Sequence, residues 1–259
     1  MTKEVQIIYM TTDEDKDDED NRIYMFYAIN DGKNLIVNPD IIMDGNHVDG
    51  AINEGVKHFP LFTRETIENK EKIFILGAGS NTLISDTKFD GVVIKLTKNF
   101  NNISLHSKEI IVAGSAVTDK SLSEFAMKNS LGGFEFLSCI PGTIGGGIKM
   151  NAGCFKREFK DILISIQALN KLGQVITIPA KEINFKYRDS GLSEDLIFLS
   201  ASFKGFKKDK NLINDEIRLL KEKKEQAQPT KIKTSGSTFK NPIDQTDKKV
   251  WQLIKESVP

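Results

Sequence analysis

The sequence predicts an α+β chain built on mixed sheets, and three observations carry that expectation. Short apolar runs of strand character recur from residue 72 onward, whereas long helical patterns are few. Two runs separated by Lys171-Leu172-Gly173 read as a hairpin. The doubly wound alternative lacks its glycine fingerprint: Gly77 and Gly79 are present, but Thr82 stands where the third glycine belongs.

Along the chain, residues 11–20 (TTDEDKDDED) hold seven acidic residues and read as a solvated loop. Residues 22–28 (RIYMFYA) read as a strand, Asn30-Asp31-Gly32 as a turn, and 34–37 (NLIV) as its return. Residues 50–57 and 63–70 suggest short helices, the second with Thr63 as N-cap. The runs 72–76 (KIFIL), 91–96 (GVVIKL) and 109–116 (EIIVAGSA) are strand-like. Leu122, Phe125 and Ala126 are at helical spacing within 121–130, and 134–153 reads as a glycine-rich loop region. The hairpin spans 161–170 and 174–180, a strand follows at 196–203, and a long polar helix at 211–228 ends before Pro229. A short helix is expected at 247–257.

Composition narrows the function classes. The 259 residues are 39% hydrophobic and 28% charged, a globular balance. Lys+Arg and Asp+Glu are both 36, which weighs against a nucleic-acid partner. No apolar stretch of about 18 residues predicts a membrane span, and the N-terminal residues lack a signal-peptide plan, so a cytoplasmic location is expected. Cys139 and Cys154 cannot form a disulfide framework and suit a reducing compartment. His47, His58 and His106 are scattered and make no metal-ligand cluster. They also lack the neighbours for Ser-His-Asp catalysis, and neither a Gly-x-Ser-x-Gly elbow nor a Walker loop is present.

Four constellations remain. Gly77, Ala78, Gly79, Ser80, Asn81 and Thr82 follow a buried strand; their amides and hydroxyls suit an anion nest or, equally, a tight structural turn. Ile140, Pro141, Gly142, Thr143, Ile144, Gly145, Gly146 and Gly147 put four glycines in six residues. Such a density is costly in backbone entropy, and a flat or phosphate-bearing ligand against bare backbone would explain it. Apolar flanks argue against a floppy surface loop, and Asn151 and Gly153 suit left-handed conformations. In FKYRDS (185–190), Arg188 offers a planar fork for a carboxylate, with a surface ion pair as the alternative. In SGSTFKNP (235–242), a hydroxyl beside glycine can deliver a proton or contact phosphate, or simply cap a helix.

Taken in order, LGAGSNTLISD (76–86), GFEFLSCIPGTIGGGIKMNAG (133–153), FKYRDS and SGSTFKNP resemble the UDP-N-acetylenolpyruvoylglucosamine reductase family. The resemblance implies an FAD-binding fold of the vanillyl-alcohol-oxidase type with a separate, here incomplete, C-terminal substrate domain. It divides the chain into a divergent segment 1–71, an FAD-binding region 72–226 and the start of a truncated substrate domain at 227–259. It implies that Gly77–Thr82 and Ile140–Gly146 hold FAD. It further implies that Tyr187 and Arg188 meet the substrate, Arg188 polarising the enolpyruvyl carboxylate, that Ser237 protonates, and that Asn241 lies by the UDP diphosphate. With NADPH as reductant, hydride reaches C3 of UDP-N-acetylglucosamine enolpyruvate and a proton reaches C2, giving UDP-N-acetylmuramate for peptidoglycan. The family's catalytic glutamate finds no counterpart. A catalytically inactive FAD- or nucleotide-binding fragment is the alternative; a different FAD oxidase is disfavoured by the two substrate-side motifs. None of the motifs speaks to oligomeric state.

Overall fold

The computed structural model describes residues 6–13, 22–30, 35–37, 72–84, 91–96, 100–171, 173–227 and 239–257. The helices expected at 50–57 and 63–70, and Ser237 with its flanking hydroxyls, lie outside the described residues. Two five-stranded sheets organise the rest. The first runs β3(Leu35–Val37), β2(Arg22–Asn30), β1(Gln6–Asp13), β5(Gly91–Leu96), β4(Lys72–Ile75). It is mixed, as expected: β1 pairs antiparallel with β2 but parallel with β5, and β5 is parallel to β4. Strand β1 was not anticipated, and it takes in residues 11–13 of the acidic block that the sequence assigns to a loop. Thr11 and Thr12 continue the alternating register against β2 that Ile7–Met10 begin. The expected strands at 22–28 and 34–37 are present and pair with each other.

The second sheet is antiparallel, in the order β12(Val175–Pro179), β11(Leu163–Leu169), β13(Ile197–Lys204), β7(Ile110–Gly114), β6(Ile103–Leu105). The β11–β12 hairpin falls where the sequence places it. Ile166 and Ala168 of β11, Ala201 and Phe203 of β13, and Ile111 and Ala113 of β7 turn to one buried face. On that face lie α1(Asp119–Lys128), a 3-10 turn at Glu135–Cys139 and α2(Ile144–Lys149). The two sheets meet where Ile94 of β5 packs with Leu169 of β11 and Ile197 of β13.

Four phenylalanines run through this core edge to face. Phe134 meets Phe203 at 6.5 Å, Phe203 meets Phe159 at 6.1 Å, and Phe159 meets Phe136 at 6.4 Å between ring centroids. The long helix α3(Lys210–Ala227) buries Ile213, Ile217 and Leu220 on the side that meets the Glu135–Cys139 turn and α1, and leaves its other faces in water. Two lysines fasten it. Lys224 donates to the Cys139 carbonyl at 2.6 Å, and Lys208, just before α3, bonds Glu135 and Glu216. Buried Glu135 is thereby satisfied, accepting from Lys208 Nζ and from the Gly133 amide, both at 2.8 Å. Helix α4(Val250–Ser257) buries no residue, and Trp251 and Ile254 are exposed. Two small pairs, β8(Leu131–Gly132) with β14(Phe206–Lys207) and β9(Gly153–Cys154) with β10(Arg157–Glu158), lie beside the sheets, and a 3-10 turn at Phe159–Asp161 follows β10 with Glu158 as its N-cap.

Phe159 is the hub of the aromatic chain and is fully buried. Phe159→Ala should cost about 3–5 kcal/mol, read as a lowered urea midpoint with an unchanged m-value.

Candidate active site

The glycine-rich stretch expected as a loop is largely helical: α2 occupies Ile144–Lys149 and the 3-10 turn occupies Glu135–Cys139. The physical reason is packing. A Cβ on Gly147 would fall 2.6 Å from Cζ of Phe159 and 3.2 Å from Oδ1 of Asp119, and one on Gly145 would fall 3.1 Å from Cβ of Ser115. Glycine therefore lets α2 press onto the core, so packing accounts for Gly145 and Gly147 where the sequence alone suggests a ligand. The helix start is also spoken for, since Ile144 and Gly145 donate to the carbonyls of Val117 and Ser115 at 2.8 and 2.9 Å.

What remains open is one shared face. Gly146 is exposed, with Thr143 Oγ1, 3.7 Å from its would-be Cβ, as its nearest neighbour. Gly79 has φ +75°, a value that glycine adopts freely, and meets only Leu76 Cδ1 at 3.9 Å. The two glycine-rich segments are joined directly. Ser80 Oγ donates to the Pro141 carbonyl at 2.6 Å, and a Cβ on Gly77 would fall 2.7 Å from Thr143 Oγ1. Ala78, Asn81, Thr82 and Pro141 are exposed beside them. A broad strip of accessible backbone, backed by the apolar core under Ile140 and Ile144, fits a dinucleotide.

Beneath this junction lies a group the sequence reading missed. Asp119 is the first residue of α1, where an acidic side chain ordinarily reads as a helix-dipole partner. Here it is fully buried, and neither carboxyl oxygen has a hydrogen-bond partner among the described residues. Burial pushes its pKa up to about 7.

Beyond α2 the chain builds a cationic corner. Asn151 is buried with φ +40°, the left-handed conformation expected of it, and its amide is fully used. Nδ2 donates to Glu158 Oε2 and to the Lys186 carbonyl, both at 3.0 Å, and Oδ1 accepts from the Lys160 amide at 3.2 Å. Gly153 is not left-handed; it sits in β9, where a Cβ would meet the Arg157 carbonyl. Arg188, held at φ +59° in the Lys186–Asp189 turn, donates from Nη2 to the Gly153 carbonyl at 2.7 Å and pairs through Nη1 with Glu158 Oε1 at 3.7 Å. Its guanidinium lies 4.9 Å from the centroid of the Tyr187 ring. Tyr187 Oη accepts from Asn241 Nδ2 at 3.3 Å, and Asn241 Oδ1 accepts from the Val250 amide at 3.1 Å. The structure thus brings Arg188, Tyr187 and Asn241 together. Glu158, which orients the arginine, carried no sequence signal beyond being a lone acid.

Next to this corner, the thiols of Cys139 and Cys154 are both free. Burial and the neighbouring Cys139 push the Cys154 thiol up to about 12.

The open face and the cationic corner are separated only by α2, six residues and about 9 Å long. The chain matches the family model described as "FAD binding domain" over residues 62–179. Its relatives include the UDP-N-acetylenolpyruvoylglucosamine reductases of Pelagibacter ubique, 73% identical over 190 residues, and Rickettsia typhi, 46% identical over 193 residues. These alignments cover 73% and 74% of this chain, but 63% and 64% of the relatives, so the chain spans just under two thirds of their length. The crystal structure of the UDP-N-acetylenolpyruvylglucosamine reductase from Thermus caldophilus superposes with a TM-score of 0.65 at 29% identity, covering 75% of this chain and 68% of that one. Fold and loops together define an α+β, FAD-binding domain of the vanillyl-alcohol-oxidase type. Within that class, over the stretch they share, the chain is similar to the UDP-N-acetylenolpyruvoylglucosamine reductases. No helix among the described residues is long and apolar enough to cross a membrane, and no metal-binding cluster occurs among them.

Asn151→Ala removes three hydrogen bonds inside the protein, those to Glu158 Oε2, the Lys186 carbonyl and the Lys160 amide. It should destabilise the fold by about 2–4 kcal/mol in urea titration, and it should abolish the ordered position of Arg188 in a crystal structure.

Proposed function

We propose that this chain binds FAD and serves the NADPH-dependent reduction of UDP-N-acetylglucosamine enolpyruvate to UDP-N-acetylmuramate, a cytoplasmic step of peptidoglycan precursor synthesis. The observation that carries the reading is the placement of a strip of open backbone and a prepositioned arginine fork at opposite ends of one short helix. When bound, FAD supplies the hydride chemistry; the protein's contribution is to hold and polarise.

Ala78–Thr82 and Pro141–Gly146 would cradle the dinucleotide along the face where Gly79 and Gly146 leave the backbone bare. Arg188 would receive the substrate carboxylate. Two of its nitrogens are already engaged by Gly153 and Glu158, so the guanidinium is held in place before substrate arrives. Charge developing on the carboxylate during reduction would be met by a cation that need not reorganise. Tyr187 backs that cation with its ring and carries Asn241 on its hydroxyl, consistent with a place for both beside the nucleotide portion of the substrate. Ser237 is the proposed proton donor to C2, on the strength of the SGSTFKNP match. Two cysteines kept as thiols accord with a reducing compartment.

Flavin binding is read by titrating FAD against the folded chain and following flavin fluorescence. Quenching with a Kd of micromolar order or tighter, about −8 kcal/mol, is expected, and folded protein that leaves the fluorescence unchanged would refute the reading. Arg188→Lys should leave the FAD Kd within about twofold while lowering turnover of the enolpyruvyl substrate by at least about tenfold, or 1.4 kcal/mol. FAD binding without any turnover in the parent chain would favour the inactive-fragment alternative.

A further inference from the structure

Asp119 is used by nothing in the proposed chemistry, yet it occupies the point where the two glycine-rich segments meet. A Cβ on Gly142 would fall 2.8 Å from Asp119 Oδ2 and 3.7 Å from Ser80 Oγ, so the carboxyl and the hydroxyl that ties the segments together flank the same glycine. The Asp119 amide donates to the Gly142 carbonyl at 3.2 Å, which fixes the side chain under this loop. Its other oxygen faces Gly147, beside the Phe159 ring. We propose that Asp119 is a proton-dependent latch beneath this junction. With the carboxyl protonated, the segments at 77–82 and 140–147 close on one another; with it ionised they part, and affinity for the dinucleotide falls as pH rises. The part concerning the dinucleotide rests on the FAD reading above.

The physical argument is desolvation. A carboxylate with no donor aimed at it cannot stay ionised in a dry, apolar setting; it must take up a proton or admit water. Asp119 Oδ2 and Oδ1 face Gly142 and Gly147, and the Ser80 hydroxyl and Phe159 ring flank those same glycines; none of these four is titratable. On its own helix, Lys120 points outward and pairs with Glu124 at the surface. Burial is the cause of its shift, and no charged side chain among the described residues contributes. Water could enter through the seam between Ser80 and Pro141–Gly142, which the Ser80 hydroxyl spans with its hydrogen bond to the Pro141 carbonyl. Once inside, it would find partners. Ser123 Oγ, one turn along α1, and Ser115 Oγ, under Gly145, are also buried without hydrogen bonds. The sign follows from linkage. The folded chain holds this proton to about pH 7 while the ordinary value is 3.8, so folding loses stability as pH rises across that interval and levels off above it.

The test is amide hydrogen exchange on the intact chain without FAD, at pH 6 and pH 8, after normalising for intrinsic chemical exchange. Peptides covering 140–149 should lose about tenfold in protection at the higher pH, and Asp119→Asn should abolish the difference. If Asp119→Asn does not fold, Asp119→Ser serves as a second non-titrating variant. A flat wild-type profile, or an equal loss in the non-titrating variant, would overturn the latch. In parallel, the FAD Kd of the wild type should weaken over the same range. A pH-independent Kd overturns the coupling to the dinucleotide. Failure of the folded protein to bind FAD at either pH sinks the flavin reading, and the exchange arm still decides the latch.

Discussion

Where the Phe159 ring lies against the bare Cα of Gly147, helix α2 sits nearer the core than any side chain would permit. Most of the site hangs from that contact. It sets the depth of the Gly142–Gly147 segment, and so the height of the backbone strip that faces Gly79. It also fixes the far end of α2, from which Asn151 reaches to Glu158 and to the turn carrying Arg188. The same ring belongs to the edge-to-face series with Phe203 and Phe136 that fills the space above the antiparallel sheet. Core packing and site geometry are therefore one problem in this fold, solved by one aromatic residue and one glycine.

The two ends of α2 treat charge in opposite ways. At Arg188 the cation is neutralised in part by Glu158, satisfied by the Gly153 carbonyl and stacked on Tyr187, and it remains partly open to solvent. Such a group keeps its charge and its direction. At Asp119 the carboxyl is shut away with nothing to pair with, and the cheaper course is to give the charge up. Glu135 offers a third solution: it is as buried as the core around it, but its two oxygens are divided between a lysine and a backbone amide.

Much of this was legible in the sequence. Apolar runs gave the strands at 91–96, 110–114, 163–169, 175–179 and 197–204, because each is short, β-rich and bounded by turn residues. Ordered motifs pointed to the FAD-binding fold and singled out Tyr187, Arg188 and Asn241 one by one; that they meet across as many as 54 residues is visible only in the structure. Helix α2 was missed because three consecutive glycines oppose helix propensity, and only a tertiary contact, the Phe159 ring, overrides it. Asp119 and Glu158 were missed for a related reason. Each is an ordinary acidic residue at a helix start, and what distinguishes them is the partner present at Glu158 and absent at Asp119, neither of which is a property of local sequence.

Asn241 spends both ends of its side-chain amide on bridging, holding the Tyr187 hydroxyl with one and the first amide of α4 with the other. That single planar group works as a tie rod. Helix α4 has no buried residue of its own to anchor it, so its start is moored, through this one side chain, to the tyrosine ring on which the Arg188 guanidinium rests.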